Sequence, residues 1–218
     1  MKRWAYVVAG LYLLMLAVLT VPTIYLAFAG KASLGDAAKV FATWQYWIWL
    51  AVMVASQFAL LMVPVRIAAR RPVTQEPLWM TILAGAVMMA GLVTGAVLSL
   101  WEFLFRDKGF DASGGVALGL IFAMWMVWTG VFYRMSRGKT PADLVSRECR
   151  VLFTGSILEL LIAVPTHIAA RSRDYCCAGF LTFFGLTMGI CVMLFSYGPA
   201  VIFLYTERWA RLHPKAAK

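Results

Sequence analysis

Long apolar runs alternate with short polar segments along the whole chain. A helix that crosses a lipid bilayer needs roughly 20 mostly apolar residues. Six runs reach about this length, at residues 4–29, 44–67, 78–105, 114–133, 151–170 and 178–205. The longest polar connection, at residues 134–150, is too short to fold alone. The pattern therefore predicts an all-α integral membrane protein, a bundle of six transmembrane helices with no soluble domain.

The first run has an alternative interpretation as a signal peptide. Lys2 and Arg3 precede it, and small residues at Ala27 and Ala29 near its end resemble a cleavage site. The apolar part is longer than the 7–15 residues that are usual in signal peptides. An uncleaved span is therefore favoured, and cleavage would leave five spans without reversing the others.

Composition points to lipid as the solvent of this chain. Hydrophobic residues make up 62% of it and charged residues only 14%, with a mean hydropathy of +0.80. Soluble domains carry about 25% charged residues. The net charge of +10 does not indicate nucleic-acid binding, because the basic residues form short clusters between apolar runs. The bilayer is the partner that the composition predicts.

The basic residues also predict how the spans are oriented. Cytoplasmic loops of membrane proteins carry an excess of Lys and Arg. One side of the predicted bundle holds 14 of the 20 basic residues, namely Lys2, Arg3, Arg66, Arg70, Arg71, Arg134, Arg137, Lys139, Arg147, Arg150, Arg208, Arg211, Lys215 and Lys218. The other side holds Lys31, Lys39, Arg106, Lys108, Arg171 and Arg173. The sequence thus predicts a multi-pass protein of the inner (plasma) membrane with both termini in the cytoplasm.

Two segments suggest an internal repeat. Residues 63–70 read VPVRIAAR and residues 164–171 read VPTHIAAR, so six of eight positions match. Each segment closes the middle span of a three-span half, and with three spans per half the second half is inserted upside down. Inverted halves are common in transporters, with the substrate site between them. A chance match of ordinary span-end residues is the favoured explanation, because one shared octamer is weak evidence.

Glu159 lies near the middle of the fifth span and is the strongest candidate for function. An ionised carboxylate facing lipid at that depth costs several kcal/mol, so the side chain is expected to be protonated, paired, or turned into the bundle. Ser156 and Thr166 share its helix face by their spacing. Gln57 and Ser196 are polar candidates on other spans. We expect these five residues to line a path for a proton, an ion or a small solute, or to serve helix assembly through hydrogen bonds.

A second cluster follows the fifth span at the predicted outer face. His167, Asp174, Cys176 and Cys177 lie within about ten residues, and imidazole and thiolate are ligands for zinc or copper. Their spacing is not that of a known metal motif. The alternatives are an interfacial histidine and cysteines that form disulfides in an oxidising compartment.

Three functions are consistent with these features. The first is translocation through a bundle centred on Glu159. The second is a subunit of a membrane complex with a metal or thiol site at His167, Cys176 and Cys177, and the third is a structural or assembly subunit. The sequence contains no Gly-rich phosphate loop, HExxH or GxSxG motif, so enzymatic activity is not favoured. The central carboxylate favours translocation.

Overall fold

The computed structural model describes residues 10, 44–68, 73, 75–105, 114–173 and 179–212. This part of the chain is all-helical, and we number its five helices in chain order. They are α1 (Trp44–Ala68), α2 (Gln75–Leu104), α3 (Gly114–Ser136), α4 (Pro141–Arg171) and α5 (Phe180–Leu212). The predicted first span, residues 4–29, lies outside the described residues except for Gly10.

Four of these helices are long and apolar enough to cross a membrane. The segments are Leu50–Ile67, Leu78–Leu104, Pro141–Arg171 and Leu181–Pro199. Large apolar side chains also point outward, since Phe58, Leu161 and Ile168 are 66%, 66% and 67% exposed. Such side chains are stable against lipid and costly against water. The chain is a multi-pass membrane protein.

α2 packs against each of the other four helices, and we describe the directions of α4 and α5 relative to it. It runs parallel to α4, because Gly85 lies beside Glu148 and Gly95 lies beside Glu159. We call the two ends of the bundle the Pro141 end and the Arg171 end, after the first and last residues of α4. α2 begins at the Pro141 end and finishes at the Arg171 end.

α5 runs antiparallel to α2. Gly91 lies against the side chain of Met188, whereas Gly95, one turn further along α2, lies against the backbone of Gly185. Both glycine pairs, Gly91-x3-Gly95 and Gly185-x3-Gly189, therefore bring helices together inside the bundle, as small residues do in lipid. Gly119, from a third pair of this kind in α3, has no atom of the described residues within 4 Å of the position that a Cβ would take.

α4 begins at Pro141, ten residues before the predicted span at residue 151. Thr140 caps the helix by accepting a hydrogen bond from the Asp143 backbone N–H at 3.2 Å, and proline is favourable at the first helical position. The added turns are amphipathic, because Arg147 is exposed while Glu148 is buried. The basic segment at residues 134–150 is thus only partly a connection, and its second half extends the helix.

Candidate functional site

α4 buries one continuous face against α2 and α5. The buried residues recur at spacings of three and four, which is the period of a single helix face. They are Leu144, Val145, Glu148, Cys149, Leu152, Ser156, Glu159, Ala163, Thr166 and Ala170. Glu159 is only 3% exposed, and it lies about 18 Å along the axis from Arg171 and about 27 Å from Pro141. Its carboxyl group is therefore inside the bundle and far from either end of the helix.

Three glycines surround the Glu159 carboxyl group, and we call Gly95, Gly185 and Gly189 the glycine cradle. A Cβ on Gly95 would lie 3.3 Å from Glu159 Oε1, and one on Gly185 would lie 2.8 Å from the same atom. A Cβ on Gly189 would overlap Glu159 Oε2. Any larger residue at these positions would thus occupy space that the carboxyl group fills.

The polar atoms in this region lack hydrogen-bond partners. Neither oxygen of Glu159 has one among the described residues, and the same holds for the hydroxyl groups of Thr94 and Ser99 on α2. Ser99 Oγ lies even closer than Glu159 Oε1 to the position that a Cβ on Gly185 would take, so the two oxygens flank the same small space. Buried polar groups are normally paired, and an unpaired one costs about 1–3 kcal/mol. Helix packing alone does not explain this arrangement.

Glu148 is a second buried carboxyl group, which sequence analysis missed. It is fully buried, and its Cδ lies 3.8 Å from the position that a Cβ on Gly85 would take, with the Phe132 ring beside it. Neither of its oxygens has a partner within the part of the chain that the structure describes. A signal was present in the sequence: eleven residues separate Glu148 from Glu159, which places them on one helix face three turns apart.

An apolar layer separates the two carboxyl groups. It consists of Leu152 on α4 and of Met89 and Leu92 on α2, all buried. A Cβ on Gly155 would lie 3.2 Å from both Sδ and Cε of Met89 and 3.4 Å from Leu92 Cδ1. Glu148 and Glu159 are about 16 Å apart along the axis, and this layer lies between them, with the buried Ser156 on its Glu159 side.

The predicted path residues are all buried, but they do not lie at one level. Ser156 donates a hydrogen bond to the Phe153 carbonyl, Thr166 to the Ile162 carbonyl and Ser196 to the Met193 carbonyl, at 2.9, 2.7 and 2.7 Å. Each hydroxyl hydrogen therefore stays on its own helix, and each oxygen remains able to accept.

Gln57 lies closer to Glu148 than to Glu159. Thr81 donates a hydrogen bond to the Ala59 carbonyl at 3.2 Å, which sets the register between α1 and α2. Gln57 therefore lies near the level of Gly85, about 15 Å from the level of Gly95. Both polar atoms of its side chain are buried without a partner among the described residues.

At the Arg171 end a third buried glutamate is fully bonded. Glu102 accepts hydrogen bonds from the backbone N–H groups of Gly179 and Thr182, at 2.7 and 2.8 Å, and so caps the start of α5. Arg173 in turn donates to the carbonyls of Glu102 and Phe103, at 3.0 and 3.1 Å, at the end of α2. We call this arrangement the capping clasp; it joins α2, α4 and α5 at one end of the bundle.

His167 lies beside the capping clasp. Its Nδ1 is 2.9 Å from the hydroxyl oxygen of Thr182, and that hydroxyl donates to the Gly179 carbonyl at 3.1 Å. The direction of this hydrogen bond depends on the ring tautomer, and in the tautomer in which Nδ1 donates to Thr182, Nε2 is left for a ligand or a proton.

The other predicted metal ligands, Asp174, Cys176 and Cys177, lie outside the described residues. Within the ranges that the structure does describe, no three His, Cys, Asp or Glu side chains are grouped to hold a metal ion. Cys149 and Cys191 are free, buried thiols.

Comparisons of the chain with protein-family models, with curated proteins and with solved structures find no match.

Proposed function

We propose that this chain is a six-span membrane protein that carries protons across the bilayer, with Glu159 as the residue that binds and releases the proton. One observation supports this most directly: a carboxyl group lies deep in the bundle, and neither of its oxygens has a partner among the described residues. Intramembrane ionisable residues of this kind commonly serve proton and ion pathways.

The small space at the glycine cradle favours a proton over a larger ion. Hard cations take six or more oxygen ligands in proteins. The side-chain oxygens of Glu159 and Ser99 lie against the cradle glycines, and the buried hydroxyl groups of Thr94 and Ser156 lie within one helical turn of it. These oxygens are fewer than a hard cation takes. A proton needs only one carboxylate oxygen and neutralises the charge that burial disfavours. Ser156, Thr166, Gln57 and Ser196 would extend the path from Glu159.

The proposal includes the orientation and symmetry that the sequence predicts. The protein would lie in the inner membrane with both termini in the cytoplasm, so that the Pro141 end faces the cytoplasm. The two matching octamers are consistent with inverted three-span halves, because residues 63–68 end α1 at the Pro141 end and residues 164–171 end α4 at the other.

Proton flux into liposomes tests the proposal. Purified protein is reconstituted with a potassium gradient and valinomycin, and a trapped pH-sensitive dye reports proton entry. We expect the wild type to conduct, and Glu159→Gln to reduce the rate by about a hundredfold, as loss of a proton-transfer group typically does. Glu159→Asp should retain part of the flux. Asp143→Asn, which changes an exposed carboxylate of the same helix, is the matched control and should conduct as the wild type does.

Glu159→Gln protein that folds and conducts at the wild-type rate would refute the proposal. Wild-type protein that conducts no protons in either direction of the imposed potential would refute it as well.

A metal site at the Arg171 end is the second candidate, and the orientation of His167 favours it. Metal-binding histidines usually donate one ring N–H to an oxygen and bind through the other nitrogen, which is the arrangement of His167 with Thr182 in the tautomer in which Nδ1 donates. His167, Asp174, Cys176 and Cys177 would then bind zinc or copper, with the chain as a subunit of a membrane complex. Metal analysis of purified protein tests this, since bound zinc or copper should be lost in His167→Ala.

A further inference from the structure

Glu148 is a fully buried carboxyl group that the proposed path does not yet use. It lies on the same face of α4 as Glu159, three turns nearer the Pro141 end. Its surroundings differ from the glycine cradle, because the Phe132 ring and the Glu148 carboxyl group both lie within 4 Å of the position that a Cβ on Gly85 would take. Two unpartnered carboxyl groups thus occur on one buried helix face.

We infer that Glu148 is a second proton-binding residue in series with Glu159, and that the apolar layer of Leu152, Met89 and Leu92 is the barrier between them. This inference rests on the proposed function. As a carboxylate, Glu148 would take up one proton from the aqueous side at the Pro141 end. It would pass that proton to the Glu159 carboxylate, which would release it toward the Arg171 end. Each step moves one proton and changes no oxidation state.

Burial without a hydrogen-bond partner among the described residues is what assigns this role to Glu148. Arg147 and Arg150 on α4 are exposed, and Arg66 on α1, which packs against α4 at this end of the bundle, is half-buried. Cys149 is the adjacent titratable group on the same helix. Gln57 of α1, buried and unpartnered near the same level, adds a second polar group with unused donors and acceptors. Glu148 can bind an exchangeable proton, and Gln57 can donate or accept a hydrogen bond beside it.

The apolar layer makes the transfer between the two carboxyl groups conditional. Proton transfer needs heavy atoms within about 3 Å, or one bridging water, and Glu148 is about 16 Å from Glu159 along the axis. The layer must therefore admit water transiently. Met89 is suited to this movement, because its unbranched side chain changes rotamer readily. Gly155 on α4 lies directly against this side chain, since a Cβ on Gly155 would be 3.2 Å from Met89 Sδ.

Two measurements test the inference. The first is liposome proton flux, in which Glu148→Gln should reduce the rate about a hundredfold, as Glu159→Gln does, and Glu148→Asp should restore most of it. The second is the rate at which the protonated Glu159 carboxyl group exchanges with D₂O, followed by the infrared C=O stretching band that Glu159→Gln removes. Glu148→Gln should slow this exchange about a hundredfold. Asp143→Asn is the control in both measurements and should change neither rate.

The outcomes separate the inference from the proposed function. If the wild type conducts and folded Glu148→Gln protein conducts equally well, Glu148 is not in the path, although Glu159 can be. If the wild type does not conduct, the proposed function fails, and the exchange measurement alone decides whether Glu148 supplies protons to Glu159. An exchange rate that Glu148→Gln leaves unchanged overturns the inference in either case. A Leu152→Ser variant should conduct faster than the wild type if the apolar layer is the barrier to proton transfer. A variant that conducts more slowly would contradict that role.

Discussion

Glu102 and Glu159 are buried to nearly the same extent, 7% and 3% exposed, yet their surroundings are opposite. Glu102 lies where α5 begins, and its two oxygens accept the backbone N–H groups of Gly179 and Thr182. Glu159 lies against Gly185 and Gly189, beyond the first four residues of α5, where the backbone N–H groups are already bonded within the helix. The first four N–H groups of a helix need outside acceptors, so a carboxylate at that point stabilises the fold. The helix cap therefore explains why the Glu102 carboxylate is buried, whereas we attribute the burial of the Glu159 carboxyl group to function.

The largest effect should come from removing the structural carboxylate. Glu102→Ala leaves two buried N–H groups without their acceptor, which should lower the free energy of unfolding by about 3 kcal/mol or more. Glu159→Gln, which removes no hydrogen bond to a described residue, should change it by less than about 1 kcal/mol. Unfolding in mixed micelles with increasing denaturant measures both. Equal losses for the two variants would remove the distinction between the glutamates.

The glycine cradle gives the second test. Gly189→Ala puts a methyl group where Glu159 Oε2 lies and should cost about 1–3 kcal/mol. The overlap is with two side chains, because the Cβ would also lie 2.7 and 2.8 Å from Cγ and Cδ2 of Leu160. Glu159→Ala in the same protein should therefore recover part of the loss. Gly185→Ala is the contrasting variant: its Cβ also meets the Gly95 backbone oxygen at 2.9 Å, so Glu159→Ala should not rescue it. Rescue of both or of neither would show that the carboxyl group does not occupy the cradle.

Arg173 should affect stability without affecting proton flux. Arg173→Gln removes two charge-assisted hydrogen bonds to the end of α2, at 3.0 and 3.1 Å. The side chain is partly exposed, so solvent screening reduces the expected loss to about 1 kcal/mol. Unfolding and liposome flux measured on the same preparation check this. Flux that falls as far as in Glu159→Gln would mean that the capping clasp is part of the path.

The smallest effect on stability should come from Thr140, an ordinary exposed helix cap with which the Glu102 cap can be compared. Thr140 is exposed, and its hydroxyl accepts the Asp143 backbone N–H at 3.2 Å. Thr140→Ala should lower the free energy of unfolding by about 0.5–1 kcal/mol. If it costs as much as Glu102→Ala, burial adds nothing to the cap that Glu102 supplies.

The apolar runs were enough to predict that this chain forms membrane helices, because one long run suffices to define each span. Periodicity also predicted correctly which residues share the face of Glu159, since Ser156 and Thr166 are buried with it. The glycine cradle and the roles of Glu148 and Glu102 depended on tertiary contacts instead. The glycines were recognisable as packing residues, but nothing local indicates that Gly95, Gly185 and Gly189 meet one particular side chain.

The burial of Glu148 and Glu102 was not predicted, because both residues lie where polar side chains are ordinary in the sequence. Glu148 stands between Arg147 and Arg150 in a segment whose charge is typical of a connection, and only the extension of α4 to Pro141 turns it inward. Glu102 lies near the end of a span, next to Trp101, where polar residues are ordinary at a membrane interface. Its role depends on α5 beginning beside it, and sequence spacing does not indicate which helix starts there.

The central claim is that Glu159 holds an exchangeable proton inside the bilayer, whereas Glu102 is a bonded carboxylate. Infrared difference spectra of the protein in lipid films, recorded through a pH change and in D₂O, test it directly. We predict a carboxylic acid C=O band that titrates, shifts in D₂O and disappears in Glu159→Gln while persisting in Glu102→Gln. A wild-type spectrum whose titrating band survives Glu159→Gln unchanged would contradict the account.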